Sequence, residues 1–196
     1  MNLTRAIYAL TALILLVSSV PALQLATAEH IGLMLRITAR LAFGLLLLAY
    51  VARPLVQLFG LGRAMLRERR HIGLSMAAVH TIHFGYVVAY LQTSGEPLEL
   101  ITAIFGGLAF VLMWLMAATS NQAARRRLGA NWKRLHLFGI HYLWFIFMQT
   151  YLGSALSNST GPLYCLPVGL GLLALGLRVA TRFSGTNSQL QQEYSP

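Results

Sequence analysis

The 196-residue chain contains no aspartate, one cysteine and only five acidic residues. No glutamate falls inside an apolar run, so hard-metal carboxylate sites and acid-based proton relays lack their residues. The lone Cys165 excludes an internal disulfide and any Cys-rich metal site, and reads as a small packing residue. Charged residues make up 10% of the chain, where a soluble domain carries roughly a quarter. No G-x-G-x-x-G fingerprint follows a strand, so neither a flavin nor a nicotinamide site is expected in this chain.

In place of charge there is length of apolar sequence. The composition is 57% hydrophobic, with a mean hydropathy of +0.63. Several runs of Leu, Ala, Val and Phe reach the roughly 20 residues needed to cross a bilayer core. They are continuous, whereas a β-barrel would show short alternating segments. The expected fold is therefore an all-α integral membrane protein, a six-helix transmembrane bundle over residues 1–183, with spans near 6–24, 37–59, 71–92, 98–118, 135–156 and 162–181. A polar tail, 184–196, lacks apolar periodicity and reads as disordered.

Thirteen of the fifteen basic residues fall on one side if both termini and the even-to-odd loops are cytoplasmic. They include Arg53, Arg63, Arg67, Arg69 and Arg70 after the second span, and Arg125, Arg126, Arg127, Lys133 and Arg134 before the fifth. The opposite loops hold Glu29, Glu96 and Glu99, with only Arg36 and Arg40 toward that outer half. This is the positive-inside pattern of a multi-pass inner-membrane protein, not a nucleic-acid footprint. The first thirty residues, ending in an A-x-A-like "ATA", also match a signal peptide, but the weak n-region and long apolar stretch favour a retained span.

The chemistry candidates are histidines. His30 and His71 sit at interfaces, where an amphipathic ring is cheap, whereas His80, His83, His136 and His141 lie within the third and fifth spans. Ionisable groups at such depth face the bundle interior and need a partner. Interhelical hydrogen bonds would satisfy one of them; four on two helices favour a cofactor. A lipid-embedded zinc site would need a water path, while haem b needs only neutral imidazoles on its iron and apolar surroundings. Arg36 and Arg40, four apart and so on one helix face, are candidates to hold propionates or to snorkel to lipid phosphates. His80 and His83 share a face, whereas His136 and His141, five apart, diverge by roughly 140°. Measured from the basic edges at ~1.5 Å per residue, the depths pair His80 with His141.

The third and fifth spans also carry "RRHIGLSMAAVHTIHF" at 69–84 and "NWKRLHLFGIHYLW" at 131–144, with Pro54-Leu55 after the second. Over residues 37–156 these resemble the bacterial ferric-reductase-like transmembrane domain. That family includes haem-binding membrane subunits of methionine sulfoxide reductase systems and is related distantly to NADPH oxidases. The resemblance implies His83 and His136 as haem ligands, with His80 and His141 extra imidazoles. Members of the family often carry a further histidine thirteen residues after His136; here the position is Gln149.

The expected function is transfer of electrons through a bacterial inner membrane by b-type haem. The donor would be a quinol or a separate flavoprotein, and the acceptor would lie on the outer side. The chain would be the electron-transfer membrane subunit of an oxidoreductase. The alternative is a haem-free helical assembly or scaffold subunit with structural histidines. A transporter is disfavoured by the absence of intramembrane acids and of a broken helix pair. Trp132, Tyr142 and Trp144 read as interfacial anchors, Met113 and Met116 as packing, "GGLA" (106–109) and "GLGLLALG" (169–176) as helix-packing surfaces, and Asn158-Ser159-Thr160 as a chance sequon.

Overall fold

The computed structural model describes residues 3–24, 28–95, 97–157 and 164–193, with the backbone alone at 14, 17–24, 28 and 185–193. The sequon at 158–160 lies outside the described residues. Among the described residues every regular element is an α-helix: α1 Leu3–Gln24, α2 Ala28–Phe59, α3 Arg63–Ser94, α4 Leu100–Ala118, α5 Gln122–Leu128, α6 Ala130–Leu156 and α7 Cys165–Glu193. Six of them overlie the six apolar segments, and α7 continues helical into the polar sequence expected to be disordered.

The seventh, α5, is the short basic stretch QAARRRL, whose first turn is capped by the Asn121 side chain accepting from Ala124 N–H at 2.8 Å. Four helices are long and apolar enough to cross a membrane, Glu29–Phe59, Arg63–Ser94, Leu100–Ala118 and Cys165–Ser184. By contrast, α6 carries His136, His141, Gln149 and several Tyr and Trp, which dilute its apolarity. The described apolar stretch of α1 is the shorter Leu3–Leu13.

Turns are set by glycine where the backbone turns left-handed. Gly60 (φ 68°) and Gly62 (φ 78°) fold α3 back onto α2, and Gly60 N–H closes on Val56 at 3.1 Å. Gly95 (φ 69°) ends α3 with its N–H on Leu91.

The bundle is organised around α2, whose most extensive partner is α3. Ala42, Ala49, Ala52 and Ala77 are buried, and small side chains let helices in a membrane approach closely. Then α7 packs on α2 and α6, and α4 packs on α6. A Cβ at Gly139 would meet Met116 of α4 at 2.6 Å, and one at Gly171 would collide with Met148 of α6. The first helix leans on α3, where Thr4 donates to Glu68 at 2.6 Å and the Tyr8 hydroxyl bonds His71 Nδ1 at 2.8 Å. One pair is conspicuous by its separation: no Cα of α3 comes within 8 Å of one in α6. Outward, α4 presents Leu100, Ile104, Phe105, Leu108, Val111 and Trp114, an apolar band suited to lipid.

Candidate cofactor site between helices α3 and α6

The four intramembrane histidines fall into three settings. His80 and His83, one turn apart on α3, stack with ring centroids 5.2 Å apart and planes 16° from parallel. His80 also lies against the Phe147 ring of α6 at 5.3 Å. Its Nδ1 is buried with no hydrogen-bond partner, and an unmet buried polar atom costs about 1–3 kcal/mol.

His83 Nδ1 is 3.0 Å from Thr38 Oγ1 on α2. That hydroxyl is fully buried and donates its only hydrogen back to the Met34 carbonyl at 2.7 Å. Thr38 can therefore only accept, so Nδ1 of His83 carries the proton and Nε2 keeps its lone pair. A ring nitrogen fixed by a hydrogen bond on its far side is the arrangement of a metal-ligating imidazole.

His136 is held at the other end of α6. Its ring stacks on Trp132 at 4.1 Å, and its Nε2 is 3.1 Å from Thr119 Oγ1, which donates to Leu115 at 2.6 Å. By the same reasoning Nε2 carries the proton and Nδ1 the lone pair. Trp132 Nε1 donates to the Thr119 carbonyl at 2.9 Å, so this corner is fixed from both sides.

His141 faces α2 and α7. Its Nδ1 donates to Leu137 at 2.8 Å, and it meets the Tyr50 ring edge-on at 5.5 Å. The Arg178 guanidinium lies over Tyr50 at 4.1 Å and reaches His141 Nε2 at 3.4 Å.

The contact of His80 with Phe147 sets the relative level of the two helices. At ~1.5 Å per residue, His141 stands about 9 Å and His136 about 16 Å nearer the basic end than Phe147. His136 is instead level with Arg69; both line a cleft of about 730 Å³ that also contains Met76 and Leu143. Gln149 is exposed, at about the level of His83. The structure thus brings His80 and His83 together and keeps His136 and His141 apart from them and from each other. Among the described residues no three His, Cys, Asp or Glu side chains converge on a metal-sized point.

Arg36 and Arg40 are exposed on α2 either side of Thr38, and the Arg40 guanidinium lies 5.7 Å from the Tyr164 ring centroid. The aromatics read as interfacial anchors act as clamps between helices. Tyr142 donates to Phe105 of α4 at 3.2 Å, and Trp144 donates to Gly171 of α7 at 3.0 Å. Met113 is buried, and Met116 packs over Gly139.

Sequence reasoning missed Thr38 and Thr119. The available signal was a hydroxyl within helical reach of a neighbouring histidine helix, which a single sequence does not reveal.

No family model matches the chain, and no solved structure matches it. The chain is 35% identical over 122 residues to the protein-methionine-sulfoxide reductase heme-binding subunit MsrQ of Yersinia enterocolitica serotype O:8 / biotype 1B. The match covers 55% of this chain and 61% of that protein, so it spans about three fifths of the length of the curated relative. The relative is a haem-binding subunit by name.

Proposed function

We propose that the protein is a membrane b-type haem protein that carries electrons across part of a bacterial inner membrane, serving as one subunit of an oxidoreductase. The observation that carries this reading is the stacked His80–His83 pair, with a buried, unpartnered ring nitrogen, on a helix whose backbone stands clear of α6. The likeness to a relative named for haem binding in methionine sulfoxide reduction supports it independently.

The chain supplies imidazole lone pairs on both helices, but His80 already meets Phe147 across the α3–α6 interval and neither α6 imidazole stands level with the His80–His83 pair, so the residues fit the group only in part. In this reading α3 would offer one imidazole, from His83 as oriented by Thr38 or from its neighbour His80, and α6 would offer another, from His136 or from His141. Arg36 and Arg40 would be the cations for the propionates. Bound haem supplies a one-electron couple whose potential follows from its ligands and burial. The protein's part is to fix imidazole tautomers, exclude water with its aromatic clamps and hold the two helices at a constant spacing.

Reductant arrives from a quinol or a separate flavoprotein on the basic side, and the acceptor is a partner on the outer side. A second reading keeps one observation in its favour: His83, His136 and His141 already hydrogen-bond to a threonine or a carbonyl. In that reading they are structural, and the chain is a haem-free assembly subunit.

Haem-replete expression, purification in mild detergent and a reduced-minus-oxidised spectrum separate the two. The first reading expects b-type bands, and their absence sinks it. Where bands appear, His→Ala changes at 80, 83, 136 and 141 identify the ligands; retention of full haem in all four refutes the two-helix site.

A further inference from the structure

The cleft of about 730 Å³ at the basic end shares His136 with the haem reading, which leaves the cleft's cations unused. Arg53, Arg69, Arg70, Arg125, Lys133 and Arg178 line it, and no carboxylate does. Glu68, the described acid on this side of the bundle, is turned to α1, where it accepts from Thr4 and stands 4.0 Å from His71.

Two of the six cations sit inside the cleft, half-buried. Arg69 spends its Nε on the Ala49 carbonyl at 2.8 Å, and Arg178 lies over the Tyr50 ring. The other four form an exposed rim. A cation withdrawn from water without an anion is unfavourable, and carbonyl and aromatic contacts offset only part of that. Deeper in, the walls turn apolar at Met76, Met113 and Leu143. The cleft therefore suits an amphiphile with an anionic head at the rim and an apolar body between the helices.

We infer that it binds one anionic phospholipid from the adjoining leaflet, its phosphate held between Arg69 and Arg178 and the rim cations. Basic pockets between transmembrane helices on the cytoplasmic side are a recurring location for such headgroups. The lipid neutralises the cleft and fills the basic-side opening between α3, α4 and α6.

The full-length protein, carrying whatever haem it binds, is reconstituted in nanodiscs of phosphatidylcholine with or without phosphatidylglycerol. Native mass spectrometry of the released protein counts and identifies retained lipid, and haem content is recorded in parallel from absorbance. One phosphatidylglycerol per chain is expected, with phosphatidylcholine lost. The exposed rim variant Arg53→Gln/Lys133→Gln should weaken retention roughly 30-fold at unchanged haem content. Arg69→Gln, nearer the floor, should weaken it as well.

Equal retention of phosphatidylcholine, no retention by the wild type, or unaltered retention in the rim variant would each overturn the assignment. So would displacement of the lipid on haem loading, since the cations would then belong to haem propionates. Because haem content is measured separately, a failure here is distinguishable from a failure of the haem reading.

Discussion

The hydroxyl of Thr38 has one hydrogen, and the Met34 carbonyl takes it. Everything expected of His83 follows from that commitment, because the imidazole must bring its own proton to the contact and present Nε2 on the other side. Thr38→Val keeps the shape and removes this acceptor, leaving the ring only the Leu35 carbonyl beside it. The variant should populate the other tautomer in haem-free protein, read by histidine 15N shifts, and should hold less haem when loaded. Thr38→Ser, which restores the acceptor, should behave as wild type. Equal tautomers in the valine and serine variants would remove Thr38 from the positioning role.

The histidines themselves were legible, because an imidazole in an apolar run stands out on solvation grounds alone. Their surroundings were not, since a threonine in such a run also satisfies itself on its own helix, as Thr38, Thr81 and Thr150 all do. Only the fold distinguishes the one that faces a histidine.

At the scale of elements, the helices beneath the six apolar segments were readable from their continuous apolar runs, although bilayer thickness imposes a length that only four described helices meet. The short α5 was not: QAARRRL has no apolar stripe, and its helix rests on the Asn121 cap. Which helices pack together was also hidden. A helix that is apolar on every side gives no moment to indicate its inner face, so the close α2–α3 pairing and the α3–α6 gap emerge only from the assembled bundle.

Glycines in "GLGLLALG" were read as a packing surface, and they divide by position. Gly171 touches Met148, whereas a Cβ at Gly176 meets nothing within 4 Å. Gly171→Leu should therefore force α7 off α6 and strain the Trp144 bond to the Gly171 carbonyl, with an overpacking cost of about 1–3 kcal/mol. A lowered thermal midpoint in detergent is expected for Gly171→Leu but not for Gly176→Leu. Equal midpoints would mean that Met148 simply swings aside.

For the molecule as a whole, the distribution of charge makes the strongest claim. Thirteen basic residues gather at one end of the helices, while Glu29 and Glu99 lie at the other. Because cytoplasmic loops retain Lys and Arg, the end bearing the basic cleft should face the cytoplasm, and the end nearer His83 should face outward. Under the proposed electron-transfer reading, that orientation would decide on which side the donor and the acceptor stand, so it can be tested before either is known. Cys165 is exposed at the start of α7 and should react in intact cells with a membrane-impermeant maleimide, as should Glu99→Cys in a Cys165→Ala background. In that same background Gln122→Cys, beside the cleft, should label only after the cells are opened. Labelling of Gln122→Cys from outside, with Glu99→Cys protected, would invert the molecule and with it the proposed direction of electron flow. The proposed α3–α6 site would then lie nearer the donor than the acceptor, while the proposed lipid cleft, which depends on local charge alone, would stand unchanged.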